Sequence, residues 1–142
     1  MALPKHLRLE FVTPERSIAH DDVDEVEIPG EDGYFGVLPG HTPLLAALRV
    51  GEMWYRKGNE KHFAFVAGGF AEVLPDRVSI LAQVAERAED IDLERAEASK
   101  RRAEERLTKP PGVVDLDFER ARVALLRALS RLHVSRHIRS RN

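Results

Sequence analysis

Near Ala85 the chain changes its chemistry abruptly, and that change limits what it can fold into. From Ala88 to Lys109 there is no Gly, Pro or Val, and Ala, Glu, Lys and Arg dominate. Such residues lose little side-chain freedom in a helix and therefore favour one. Pro110-Pro111-Gly112 then stops the helix, because proline lacks the backbone donor and clashes with the preceding turn. From Phe118 the apolar positions Phe118, Ala121, Leu125, Ala128 and Leu132 step by three and four, the spacing of one helical face. The first stretch carries a thinner stripe of Leu93, Ala96, Ala103 and Leu107. Two helices, each about 18 residues and about 27 Å long, then form an antiparallel hairpin. Alanine dominates its seam and buries little area, so at roughly 25 cal/mol per Å2 the seam holds weakly. The hairpin is expected to be mobile.

The first 85 residues read differently. Leu7, Leu9 and Phe11 alternate with charged neighbours, the period of a strand with one wet face. Further strands fit Asp24–Ile28, Leu44–Val50, Glu52–Lys57, Lys61–Ala67, Phe70–Leu74 and Arg77–Ala82. Thr13-Pro14-Glu15, Pro29-Gly30-Glu31-Asp32-Gly33, Lys57-Gly58-Asn59 and Pro75-Asp76 punctuate them as turns. Gly68-Gly69 reads as a bulge or turn rather than a phosphate loop. The fold class is thus β plus α. An N-terminal antiparallel β-sandwich occupies residues 1–86, and a C-terminal two-helix antiparallel hairpin occupies 87–142.

Composition excludes several functions. With no cysteine, disulfides and thiolate metal sites are ruled out, which suits a reducing cytosol. No run of about 18 apolar residues is present, so insertion into a membrane is not expected. The N-terminal MALPKHLRLE has no apolar signal core, so secretion is not expected. Residues 1–91 carry nine Lys and Arg against sixteen Asp and Glu, whereas 92–142 carry thirteen against eight. The basic half either answers the acidic half or seeks an acidic partner elsewhere. No P-loop, dinucleotide fingerprint or nucleophile elbow occurs, so no catalytic residue is assigned. His133 and His137 lie four apart but find no third ligand, and no metal site is expected. The tail Arg136 to Arg141 lacks interleaved aromatics, so nucleic acid is not an expected partner.

Ile91-Asp92-Leu93-Glu94-Arg95-Ala96 opens the first helix with Asp92 as N-cap, its carboxylate favoured by the helix dipole. Ile91 and Ala96 make a weak staple across that start. Leu116-Asp117-Phe118-Glu119-Arg120-Ala121 opens the second in the same grammar. Arg127 and Arg131 share a face. In an antiparallel hairpin they approach Asp92 and Arg95, a cradle suited to phosphate at a helix start. Glu86, just upstream, suits an adenine amino group or a ribose hydroxyl. A solvated basic face and a face for an acidic partner helix remain equally open on spacing alone. The stretch 33–45, GYFGVLPGHTPLL, combines Gly and Pro with large apolar groups. It reads as an ordered loop, tucked under the sandwich or offered to a partner.

That loop, the strands FAFVAGGFAEVLPDRVSILAQVAERAEDID (63–92) and the helix starts IDLERA (91–96) and LDFERARVALLRALSRL (116–132) closely resemble the epsilon subunits of bacterial F-type ATP synthases, of the ATP-binding, Bacillus-like type. The resemblance covers nearly the whole chain. It implies a non-catalytic subunit whose ten-stranded sandwich sits on the central stalk of the proton-translocating enzyme. There it would touch the gamma subunit and the c ring and couple ring rotation to the catalytic head. It implies a hairpin that folds, or extends between gamma and the alpha/beta subunits to block ATP hydrolysis. The place implied is the cytoplasmic face of the cell membrane, as a peripheral protein; the isolated chain is expected to be a monomer. ATP is implied as a regulatory ligand of the folded hairpin. The family's I/L-D-x-x-R-A motif falls on Ile91, Asp92, Arg95 and Ala96. Its acidic partner falls on Glu86, its basic partner on Arg102 with Arg101 a near competitor, and its second-helix arginines on Arg127 and Arg131. Pro110-Pro111-Gly112 departs from the polar connection of the ATP-binding members and bears on how readily the helices straighten. A free-standing ATP-sensing or structural interaction module is the alternative reading.

Overall fold

The computed structural model describes residues 2–108 and 115–139, with side chains described for 2–108 and 117–138. The predicted Pro110-Pro111-Gly112 connection lies outside the described residues. The chain divides into two compact units, Met1–Arg87 and Ala88–Asn142.

The first unit holds eight strands: β1 (Leu7–Val12), β2 (Ser17–Val23), β3 (Glu25–Gly30), β4 (Gly33–Val37), β5 (Leu44–Ala47), β6 (Gly51–Lys57), β7 (Glu60–Leu74) and β8 (Arg77–Arg87). Hydrogen bonding runs β2-β1-β8-β7-β6-β3-β4, with β5 joined to β7. Every pairing is antiparallel except β1 with β8, which is parallel. This one parallel ladder departs from the all-antiparallel expectation, and it joins the first strand to the last.

The two sequence-predicted strands 61–67 and 70–74 are one long strand, β7. Its first half pairs with β6 and its second half with β5, while β8 pairs with it from Ala64 to Leu74. The register with β8 is the same on both sides of Gly68, with Ala67 opposite Val84 and Gly69 opposite Ala82, so the glycine pair does not form the expected bulge or turn but lies within the continuous strand. Gly69 has φ of +113°, and a Cβ there would meet the Leu81 carbonyl oxygen, so only glycine fits. The described residues hold eight strands, against the ten the resemblance implies.

β2 and β4 have no counterpart among the predicted strands. Charged residues fill the middle of β2, and only Ile18 and Val23 are buried from it. β4 was expected to be loop. Instead it pairs with β3 across the two-residue turn Glu31-Asp32, flanked by Gly30 and Gly33. The core gathers the alternate residues of these strands, including Leu7, Leu9, Phe11, Val26, Ile28, Met53, Val73, Val78 and Ile80.

The second unit begins with a short 3-10 turn, Ala88–Asp90, followed by α1 (Leu93–Leu107) and α2 (Asp115–Arg139). The helices are unequal, 15 and 25 residues, rather than about 18 each. α2 starts at Asp115, so Asp117 is a first-turn residue and not the predicted cap. There its carboxylate still complements the dipole. Ala96, Ala103, Ala121, Ala128 and Leu132 are buried, as the stripes predict, but Phe118 is exposed.

Candidate functional site

The start of α1 is built as its sequence dictates. Asp92 holds extended backbone angles, and its Oδ1 accepts from the Arg95 N–H at 3.1 Å. Its carbonyl accepts the first helical bond, from Ala96 N–H at 3.0 Å. The same carboxylate thus meets two requirements of a helix start, an acceptor and a negative charge. Further along α1, Arg102 donates to Ser99 Oγ at 3.1 Å, which sets the direction of its guanidinium.

Where α1 and α2 pack, the small side chains leave the surface concave. A groove of about 480 Å3 is lined by Ser99 of α1 and by Glu119, Arg120, Val123, Ala124, Arg127 and Arg131 of α2. Arg120, Arg127 and Arg131 are spaced by seven and four, which puts them on one helical face. Glu119, the one carboxylate in the wall, accepts from Arg122 at 3.1 Å. The Nε of Arg127 is buried without a hydrogen-bond acceptor among the described residues. An unmet buried donor costs about 1–3 kcal/mol, so the position favours an arriving acceptor. The groove presents guanidinium forks to an anion.

The structure places the sequence-predicted site residues in several settings. Arg127 and Arg131 line this groove together. Arg102 lines an adjoining concavity that shares Ser99, Arg120 and Ala124 with it. Asp92 and Arg95 line neither, and Asp92 is engaged as the cap. Ala96 is buried and Ile91 half-buried. Glu86 belongs to the other unit, on β8 opposite Phe65 of β7. Sequence reasoning missed Ser99 and Arg120 as groove residues. The signal for Arg120 was available: it stands two helical turns before Arg127.

The sheet unit offers a second feature. Ala47, Phe70, Leu81 and Val12 form one cross-strand row over β5, β7, β8 and β1. Phe70 is 56% exposed and Leu81 58%, and Leu45, two residues before Ala47, is 70% exposed. Ala71 and Val73 point to the core, which turns Phe70 outward by strict alternation. A contiguous apolar row on a sheet surface marks a contact site.

Comparison with known proteins places both units. Residues 6–88 match the beta-sandwich domain of the ATP synthase delta/epsilon chain, and residues 89–136 match its long alpha-helix domain. An ATP synthase epsilon chain of Nitratidesulfovibrio vulgaris is 48% identical over 132 residues, covering 93% of this chain and 97% of that one. One of Bacillus velezensis is 46% identical over 131 residues, covering 92% and 98%. Among solved structures, a chain of the Euglena gracilis mitochondrial ATP synthase (OSCP, F1 and c-ring) is similar, with a TM-score of 0.76 at 25% identity. The match covers 91% of this chain and 82% of that one.

Proposed function

The chain belongs to the delta/epsilon family of ATP synthase subunits, and we propose that it is a non-catalytic stalk subunit whose helical hairpin responds to ATP. The observation that carries the ATP reading is the groove wall of Arg127 and Arg131, with the Arg127 Nε lacking an acceptor. In this reading the triphosphate takes the guanidinium forks, and the nucleoside occupies the remainder of the groove. Its volume falls within the about 300–1,000 Å3 of sites that enclose a small organic ligand.

Bound ATP stabilises the closed hairpin, because α1 and α2 both contribute to the wall. At ten times its dissociation constant the ligand favours that form by about 1.4 kcal/mol, a tenfold shift of a balanced equilibrium. Opened, the helices of 15 and 25 residues span about 60 Å end to end at 1.5 Å per residue. That reach suits a segment that inserts beside gamma and the alpha/beta subunits and stops ATP hydrolysis. Arg127 and Arg131 serve in both states, so ATP competes with acidic groups of the catalytic head. The sheet unit, through Leu45, Phe70 and Leu81, docks on gamma and couples c-ring rotation to the head. In this reading the chain works at the cytoplasmic membrane face as a peripheral component of a proton-translocating enzyme.

Titration calorimetry of the isolated chain with ATP tests the regulatory reading. Arg127→Ala is expected to lower affinity tenfold or more. Equal affinity in the wild type and the variant removes the site.

A further inference from the structure

Next to the groove of Arg127 and Arg131, α1 and α2 form a second concavity of about 250 Å3. It is lined by Ser99, Arg102, Ala103 and Arg106 from α1 and Arg120, Ala121 and Ala124 from α2. Three arginines line it and no carboxylate does. Among the described residues, neither Arg106 nor Arg120 is paired with an acid, and Arg102 is held by the Ser99 hydroxyl at 3.1 Å. A solvated basic face would distribute its arginines around a helix. Here Arg102 and Arg106 share one face of α1 at a spacing of four and meet Arg120 across the packing seam.

We propose that this concavity is a second anion subsite, which takes a small inorganic oxyanion of the phosphate or pyrophosphate class. Its chemistry is that of planar forks on phosphate oxygens, in a recess of one charge sign that concentrates anions. Its size excludes a nucleoside: the volume lies below the about 300 Å3 at which organic-ligand sites begin. The anion bridges Arg102 and Arg106 of α1 to Arg120 of α2, so it clamps the alanine seam at a point distinct from the ATP groove. Because Ser99, Arg120 and Ala124 belong to both walls, occupancy of one recess bears on the other. The hairpin would then register free phosphate compounds beside ATP. The subsite's place as neighbour of a nucleotide rests on the ATP reading above; its own lining does not.

The test is calorimetric titration of the full chain with inorganic pyrophosphate, with and without saturating ATP. Arg106 lines only the second recess and Arg127 only the first, so the two variants separate the sites. The expected result is one further equivalent of pyrophosphate on the ATP-saturated chain. Arg106→Ala weakens it tenfold or more, with ATP affinity unchanged within twofold. Pyrophosphate that binds only by displacing ATP, or binds Arg106→Ala as it binds the wild type, overturns the proposal. A chain that fails to bind ATP but binds pyrophosphate through Arg106 sinks the ATP reading and leaves this subsite standing.

Discussion

The two units of this chain are packed from different materials. In the sheet unit Leu7, Leu9, Phe11, Ile28, Met53 and Ile80 are fully or almost fully buried, and large side chains interlock from several strands. In the helical unit the buried positions of the two helices are chiefly small, Ala96, Ala103, Ala121, Ala128, Val134 and Ser135, with Leu132. Burial of apolar area scales with side-chain size, so each large core residue contributes about 1.5–3 kcal/mol and each alanine far less. The sheet unit is therefore built to hold one shape, whereas the helix pair is built to let go. The proposed coupling and switching roles need both, and the side-chain volumes divide along the same line.

The sharpest way to break this comparison is a core truncation. Phe11→Ala is expected to cost about 3–5 kcal/mol of stability, read as a lowered denaturation midpoint of the sheet unit. A loss below about 1 kcal/mol would show that the sheet core is no better packed than the helix seam. Next in size is the outer row. Phe70→Glu leaves the core untouched but is expected to weaken association with gamma about thirtyfold, the scale of an interface hot spot of about 2 kcal/mol. Pull-down against gamma measures this, and undiminished capture would return the row to bare surface.

A smaller effect sharpens the helical side. Asp92→Ala removes the α1 cap and is expected to cost about 1 kcal/mol, which raises amide exchange through α1 about fivefold. Exchange in the sheet unit should not move. Uniform acceleration across both units would mean that they open together.

The smallest effect is one of pH, confined to the sheet unit. The Gly58 N–H, with His6 beside it, holds the Asp24 carboxyl below the ordinary value of 3.8. Lys57 does the same for Asp21, donating to both its oxygens at 2.9 and 3.0 Å. Asp21 in turn raises the Lys57 ammonium above 10.5. For the lowered carboxyls, stability is present above the unfolded value and lost as pH falls through the folded one. For the raised ammonium, it is present below the unfolded value and lost as pH rises through the folded one. Stability should thus be level between these limits and decline beyond each. Asp24→Asn should flatten the acid limb in a pH series of thermal melts, and an unchanged limb would assign it elsewhere.

Much of the fold was legible because its signals are local. Alternation gave β1, β6 and the halves of β7, and the sudden loss of Gly, Pro and Val marked the helical unit. The edge strand β2 escaped because Ala19, His20, Asp21 and Asp22 interrupt its apolar rhythm, while its backbone is satisfied by β1. β4 escaped because Gly33 and Gly36 look like loop until β3 supplies a partner. Within the candidate site, the i, i+4 spacing of Arg127 and Arg131 was enough to pair them. That Ser99 and Arg120 complete the wall, and that Asp92 and Arg95 do not line it, depends on the offset between two helices.

By itself the sequence determined what each segment is made to do locally: which residues pair as strands, which coil, where Asp92 caps, and which unit packs with large side chains. Tertiary structure alone decided which distant segments meet. The parallel ladder of β1 with β8, the apolar row from Val12 to Ala47, and the two arginine recesses all join residues far apart in the chain. Periodicity is a property of neighbours along the backbone and carries no address for a partner. The register between packed elements is set only when their side chains interlock.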